Sequence, residues 1–384
     1  MKNKMIGTVF ALFAFLSVQA HGQTLPYEGP NLNRKVRNLG MGNVGVSTTG
    51  QFDSAPFYNP AGLNDLKKGK IQFFTPTFEL SKSFFDMIDD AKTLTNGVKD
   101  ANNDADKTRA FNQFLNSRTG EFDHVRLSLE LVSYARKNFA AGLLFDERVD
   151  MSFRDQSFPH FEVRNLGDVS MYVAGSYDFW EKLLQVGLTV RPTVRFALDQ
   201  QDEVITLADV LGDDAQGDPL IVSQFENIAD PRFGLGVDLG LKSNLSFLEE
   251  LIPDLYKKLN PQAGFTWQDI GSPNFGAAPN NPQSVSMGLS IEPSLWVLKN
   301  TFALELRDLN QDRPFLSKLH IGAESRLVKI LSVRAGLSEG YVSTGVGINL
   351  GIVSIDGALY FNEVGRKTRE EGSMRFATSL SFRI

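Results

Sequence analysis

Residues 186–196 read VGLTVRPTVRF. Val186, Leu188, Val190, Val194 and Phe196 are apolar, and they alternate with Gly187, Thr189, Arg191, Thr193 and Arg195. A period of two predicts a strand with one greasy and one wet face. The same alternation recurs at 125–131, 233–241, 285–291, 302–306, 331–337, 342–350 and 353–361. Extended along the chain, it predicts strands near 70–80, 122–135, 138–149, 161–177, 184–197, 232–242, 260–267, 284–292, 300–308, 316–325, 330–338, 341–349, 352–361 and 373–384. That is an even set of fourteen, as bacterial single-chain membrane barrels require. The predicted fold class is therefore all-β, a transmembrane antiparallel β-barrel.

Composition agrees. Hydrophobic residues make up 42% of the 384 and mean hydropathy is −0.16, too polar for a helical membrane bundle. A barrel escapes that limit because only alternate residues face lipid. Thirty Phe residues suit an aromatic outer surface, and a net charge of −6 argues against nucleic acid as a partner. The absence of cysteine excludes disulfides, thiolate metal sites and a lipidated N-terminal Cys. Residues 1–22 read as a signal peptide. Lys2 and Lys4 precede an apolar run over 5–18, and Val18-Gln19-Ala20 follows as a cleavage site, with Gly22 as a second option.

Residues 23–68 lack any sustained period and form a separate N-terminal segment; residues 69–384 make the barrel. Connections after odd strands include the long stretches 81–121 and 198–231, whereas those after even strands are mostly tight. Short turns belong on the periplasmic side and long loops outside. The exception, 243–259, has Leu248, Leu251, Ile252, Leu255 and Leu259 at helical spacing. Ser246 and Glu249 there suggest a capping box. The first long loop predicts two helices, one with Phe84, Ile88 and Ala91 on one face and a stop at Asn96-Gly97, the other marked by Phe111, Phe114 and Leu115. Their apolar faces are expected to cap the barrel or to form a groove for an apolar ligand.

Three motifs imitate chemistry. Residues 40–45 match G-x-G-x-x-G but lack the preceding buried strand and following helix of a dinucleotide site. Residues 336–340 match G-x-S-x-G, yet no His follows Ser338 and a hairpin turn explains them better. Asp100, Asn102, Asp104 and Asp106 suggest a calcium loop, but Ala105 and Phe111 stand where Gly and Glu are needed. His124, His160 and His320 have no ligand spacing. The expectation is a protein without enzymatic activity, cofactor or metal.

If the apolar faces meet lipid, the lumen is lined by Arg126, Glu130, Arg191, Arg195, Asp238, Glu305, Arg307, His320, Glu324, Arg326, Arg334, Asp356, Arg375 and Arg383. Buried charges must be paired, so an ion-pair lattice is the plainer reading. The functional reading is that Arg191 and Arg195, inward on one strand, bind the carboxylate head of an amphiphile.

The stretches NLGMGNVGV (38–46) and SAPFYNPAGL (54–63) resemble the entry segment of the FadL-type outer-membrane transporter superfamily, and more closely its TraF-like or PorV-like barrel relatives. Phrases at 265–276, 319–341 and 358–365 add to the likeness. The resemblance implies a fourteen-strand barrel plugged by a hatch that contains Gly40, Gly42, Gly45, Asn59, Pro60 and Ala61. It also implies a sideways exit near a kinked strand, by order 138–149. The GFQL-like start of fatty-acid transporters proper is missing from this chain. The expected function is passive transport of hydrophobic or amphipathic, fatty-acid-like molecules across the outer membrane. The alternative is a structural barrel subunit of an envelope secretion or conjugation system, partnered by other envelope proteins. Expected partners are membrane lipids, the small-molecule ligand and the barrel assembly machinery, whose C-terminal recognition signal the alternating strand 374–384 resembles.

Overall fold

A computed structural model describes residues 34–48, 52–154, 160–197, 204–206, 231–295, 298–328 and 330–384. The expected signal peptide and most of the 198–231 loop lie outside the described residues. Fourteen barrel strands run antiparallel in chain order, beside two short strands at Val204–Thr206 and Ser294–Leu295: β1 (Lys70–Ser81), β2 (Phe122–Arg136), β3 (Phe139–Arg154), β4 (His160–Phe179), β5 (Leu184–Ala197), β6 (Arg232–Ser243), β7 (Gln262–Gln268), β8 (Ser284–Ile291), β9 (Leu298–Leu306), β10 (Leu319–Leu327), β11 (Leu331–Ser338), β12 (Tyr341–Asn349), β13 (Val353–Glu363) and β14 (Gly372–Arg383). Each pairs with its neighbours in sequence. The ring closes where β14 meets β1, Phe78 lying opposite Thr378. Every predicted strand is present. Closure leaves no open sheet edge, the only way strands satisfy their backbone groups inside a bilayer.

Alternation sets the two surfaces, and they are inverted relative to a soluble protein. Leu188, Leu235, Leu289, Leu304, Val346 and Phe376 point outward and are exposed, while Thr189, Arg191, Arg195, Glu305, Glu324 and Arg375 are buried inside. Apolar side chains facing out around a closed ring of strands, with charge enclosed, are the arrangement of a barrel that crosses a bilayer.

The ends differ as the connections predict. One end carries tight turns, such as Lys137-Asn138 with Asn138 at φ 72°. The other carries the long loops, including α3 (Lys82–Lys99) and α4 (Asp104–Arg118) between β1 and β2. Helix α3 runs through the expected stop at Asn96-Gly97 to Lys99; its start is capped by Ser81 Oγ, which accepts from the Phe84 N–H at 3.2 Å. The expected helix at the short-turn rim divides into a 3-10 turn (Ser246–Leu248) and α5 (Pro253–Leu259). The capping box does not form. Asn244 Oδ1 instead accepts from the Ser246 N–H, and Pro253 starts the helix, since a ring that lacks an N–H fits the first turn.

A second correction concerns the expected kink at 138–149. Strand β3 pairs with β4 without interruption from Phe139 to Arg154. The irregularities fall on β1 and β2. Phe73 and Phe74 both point outward, with Phe74 at φ 45°, and on the adjoining strand Leu131 and Val132 do the same. The β1–β14 register shifts between Phe73 and Thr77, a stretch that includes Pro76, which has no N–H to donate to the ladder.

Candidate functional site

The N-terminal segment runs through the inside of the barrel. Helix α1 (Val36–Leu39) packs on β12, β13 and β14. The chain then turns at Gly42 and Asn43, both with positive φ, 67° and 60°, which Gly adopts freely and Asn tolerates. A second stretch holds α2 (Ala55–Tyr58) and a 3-10 helix (Pro60–Asp65) that lies against β4, β5 and β6. Pro60 keeps Asn59 extended, at φ −157° and ψ 103°. Asn59 then joins three parts: its Oδ1 accepts from the Ala61 N–H at 3.1 Å, and its Nδ2 donates to Val46 O at 2.7 Å and to Leu241 O of the barrel wall at 3.0 Å.

Backbone meets backbone where segment and wall touch. A Cβ on Gly336 of β11 would collide with the Gly42 main chain, and one on Gly240 of β6 with Asn59 and Pro60. Gly187 is equally confined by Pro60 and Ala61, and Gly40 lies against Gly345. Gly45 packs under the Tyr58 ring within the segment itself. Wall glycines at inward positions thus make the recess into which the segment fits. They were not singled out from the sequence, although each stands at a polar-face position of an alternating strand and gives a signal there.

Charge completes the docking. Glu305 Oε1 accepts from the N–H groups of Gly45, Val46 and Ser47 at 2.9, 2.7 and 3.3 Å. Arg37 grips Glu324 with two bonds of 2.8 and 2.9 Å, and Arg334 and Arg326 reach the same carboxylate. Lys35 pairs with Glu130 at 2.8 Å. At the short-turn rim Asp65 accepts from Lys242 and from Lys182. Burial works to raise the Asp65 carboxyl, but Lys242 and then Lys182 outweigh it and hold the group below the ordinary carboxylate range. Most of the inward charges expected to form a lattice are ion-paired, whereas Glu305, Arg307 and His320 bind backbone groups of the segment.

Above the segment, on the long-loop side, a vestibule opens to solvent. Phe57, Tyr58 and Tyr360 line it together with Arg34, Arg191 and Arg307. Arg307 stands over the Tyr58 ring at 5.2 Å and donates to Asn43 O; Arg34 stands over Tyr360 at 5.7 Å. Arg191 borders this space and donates to Asp238 at 2.8 Å and Asp269 at 2.6 Å. Burial, resisted by Arg191 and reinforced by Asp238, pushes the Asp269 carboxyl up to about 6. Arg195 is placed differently from Arg191. It holds Asp168 with two bonds of 2.8 and 2.7 Å, reaches Pro279 O and Asn281, and lies 4.1 Å above the Phe275 ring. It ties the 269–283 connection to the wall.

It is a closed barrel with its own N-terminal segment inside. The turn at Glu339-Gly340, with φ 53° and 86°, is the hairpin expected of the G-x-S-x-G match. A histidine does reach Ser338, but from upstream: His320 Nδ1 lies 3.1 Å from Ser338 Oγ and 2.8 Å from Gly42 O. A carbonyl only accepts, so Nδ1 carries the proton and does not take one from the serine. The pair fixes the segment and activates no nucleophile.

No family model and no curated protein matches the chain. Among solved structures it is similar to the CymD monoaromatic hydrocarbon channel, at 14% identity over 93% of this chain and 98% of that one, with a TM-score of 0.49. It is similar to the toluene transporter TodX of Pseudomonas putida at 12% identity, over 94% and 99% of the two chains, with a TM-score of 0.46. For the toluene transporter TbuX of Ralstonia pickettii the figures are 13%, 94%, 98% and 0.45.

Proposed function

We propose that the chain is an outer-membrane channel for the passive entry of small hydrophobic or amphipathic molecules, with residues 34–48 and 52–66 as its hatch. The observation that carries this reading is the vestibule. Aromatic rings and guanidinium groups stand side by side over a segment that occupies the lumen beneath. Such a surface suits a molecule with an apolar body and an anionic head. Arg307 and Arg191 are the head-group candidates; a ligand shares Arg191 with Asp238 and Asp269. Arg195 serves by holding the wall of the vestibule in place.

Uptake by cells that express or lack the chain tests the proposal, with labelled fatty acids and aromatic hydrocarbons as probes. Expression raises uptake of at least one class, and Arg307→Ala lowers uptake of carboxylates more than of neutral hydrocarbons. Equal uptake of every probe with and without the chain overturns it.

A further inference from the structure

Three contacts place the loop hairpin α3–α4 on the outside of the barrel rather than over its mouth. Phe85 of α3 meets Phe376 edge-on, ring centroids 6.4 Å apart, and Phe376 is on the outward face of β14. Phe114 of α4 meets Phe153 at 5.8 Å, and Phe153 takes the outward parity of β3. Arg118 binds Asp123 at 2.7 and 2.8 Å, and Asp123 takes the outward parity of β2. Between the helices and the wall, Phe111, Leu115 and Phe153 form a small buried cluster with Met87 and Leu94. This fixes the roll of α3. One side faces the cluster, and the next stripe round, Phe85 and Ile88, is left 48% and 40% exposed with Lys92 one turn on.

We propose that α3 is seated in the outer leaflet of the membrane, at the boundary between head groups and acyl chains, and fastens the long-loop end of the barrel to the lipid surface. The proposal rests on the bilayer-spanning reading of the barrel. Its added content is that the lipid-facing surface continues from Phe376 onto Phe85 and Ile88. A helix with an apolar stripe, lying beside an apolar wall at the level where strands give way to loops, gains by burying that stripe in the interface. Lys92 follows on the same stripe, ion-paired with Asp89 at 2.8 Å, a polar end suited to the head-group level. Charges along α3 balance, Lys82, Lys92 and Lys99 against Asp86, Asp89 and Asp90, so the seating is apolar and independent of lipid charge.

The chain contains no cysteine, so single-cysteine variants of the full protein report one position each. Nitroxides are attached at Ile88→Cys, at Thr93→Cys on the polar side of α3, and at Leu289→Cys in the outward belt. The protein is reconstituted into phosphatidylcholine vesicles, and collisions are measured with molecular oxygen and with a water-soluble nickel chelate. Ile88 is expected to resemble Leu289, its oxygen-to-nickel ratio severalfold above that at Thr93 and unchanged when anionic lipid or salt is added. If Ile88 instead matches Thr93 while Leu289 reads as lipid, the proposal falls and the barrel stands. If Ile88 is shielded from both reagents, protein covers the stripe and the proposal falls equally. If Leu289 itself reads as water, the membrane reading fails with it.

Discussion

Glu305 shows how one side chain holds a segment in place. Its Oε1 collects three successive N–H groups of residues 45–47, while Oε2 is buried without a hydrogen-bond partner among the described residues. Removing the acceptor leaves buried donors unsatisfied, at about 1–3 kcal/mol each. Glu305→Leu is therefore expected to speed amide exchange at Gly45, Val46 and Ser47 strongly, and Glu305→Gln, which keeps one acceptor without the charge, to speed it less. Protection equal to that of the parent in both variants disproves the role. Asp269, in the connection after β7, is a residue outside the strands whose charge changes near neutrality. With its carboxyl raised to about 6, it is ionised above that pH and neutral below, so acidification removes one negative charge from beside Arg191. The expected results are a carboxylate infrared band lost with a midpoint near pH 6 and stronger uptake of anionic probes below it. Both should vanish in Asp269→Asn. The chemistry at these residues was only partly visible in sequence: Glu305 and Arg191 could be assigned to the lumen by parity, but their partners are 47 to 260 residues away.

At the scale of elements, fit between the N-terminal segment and the wall depends on side chains that are missing. Gly336 and Gly240 leave room for main chain to lie on main chain. Gly336→Val is predicted to push the 40–45 turn off the wall and raise single-channel conductance in planar bilayers, because the obstructing atoms are backbone and do not rotate away. Gly175→Ala in β4, where nothing lies within 4 Å of a new Cβ, is the control and should conduct like the parent. Equal conductance in both variants would count against the recess. Element boundaries were less legible than element identity. Helix α3 passes Gly97 because α4 packs alongside it, with Ala110 only 3.1 Å from a Cβ built there, and tertiary contact offsets the local cost of glycine, about 1 kcal/mol.

For the whole molecule, the outward belt is the feature on which everything else depends. A cation at the bilayer midplane on the lipid face of a barrel costs roughly 2–4 kcal/mol. Leu289→Arg, in the middle of β8 and facing out, is expected to lose that much stability in guanidinium titrations of the protein in vesicles. An unshifted midpoint would place Leu289 away from lipid. The alternation in residues 186–196 and its counterparts along the chain sufficed to determine strands, faces and the sign of each surface, because side-chain direction in a strand is a local property with a period of two. Parity of the connections likewise determined which end carries the long loops. Tertiary structure alone decided that Arg195 anchors a loop while Arg191 borders the vestibule, and that the bulges sit on β1 and β2. It also placed α3 and α4 outside the wall. Each of these depends on which groups meet across large separations in sequence once the ring has closed, and no local pattern encodes that meeting.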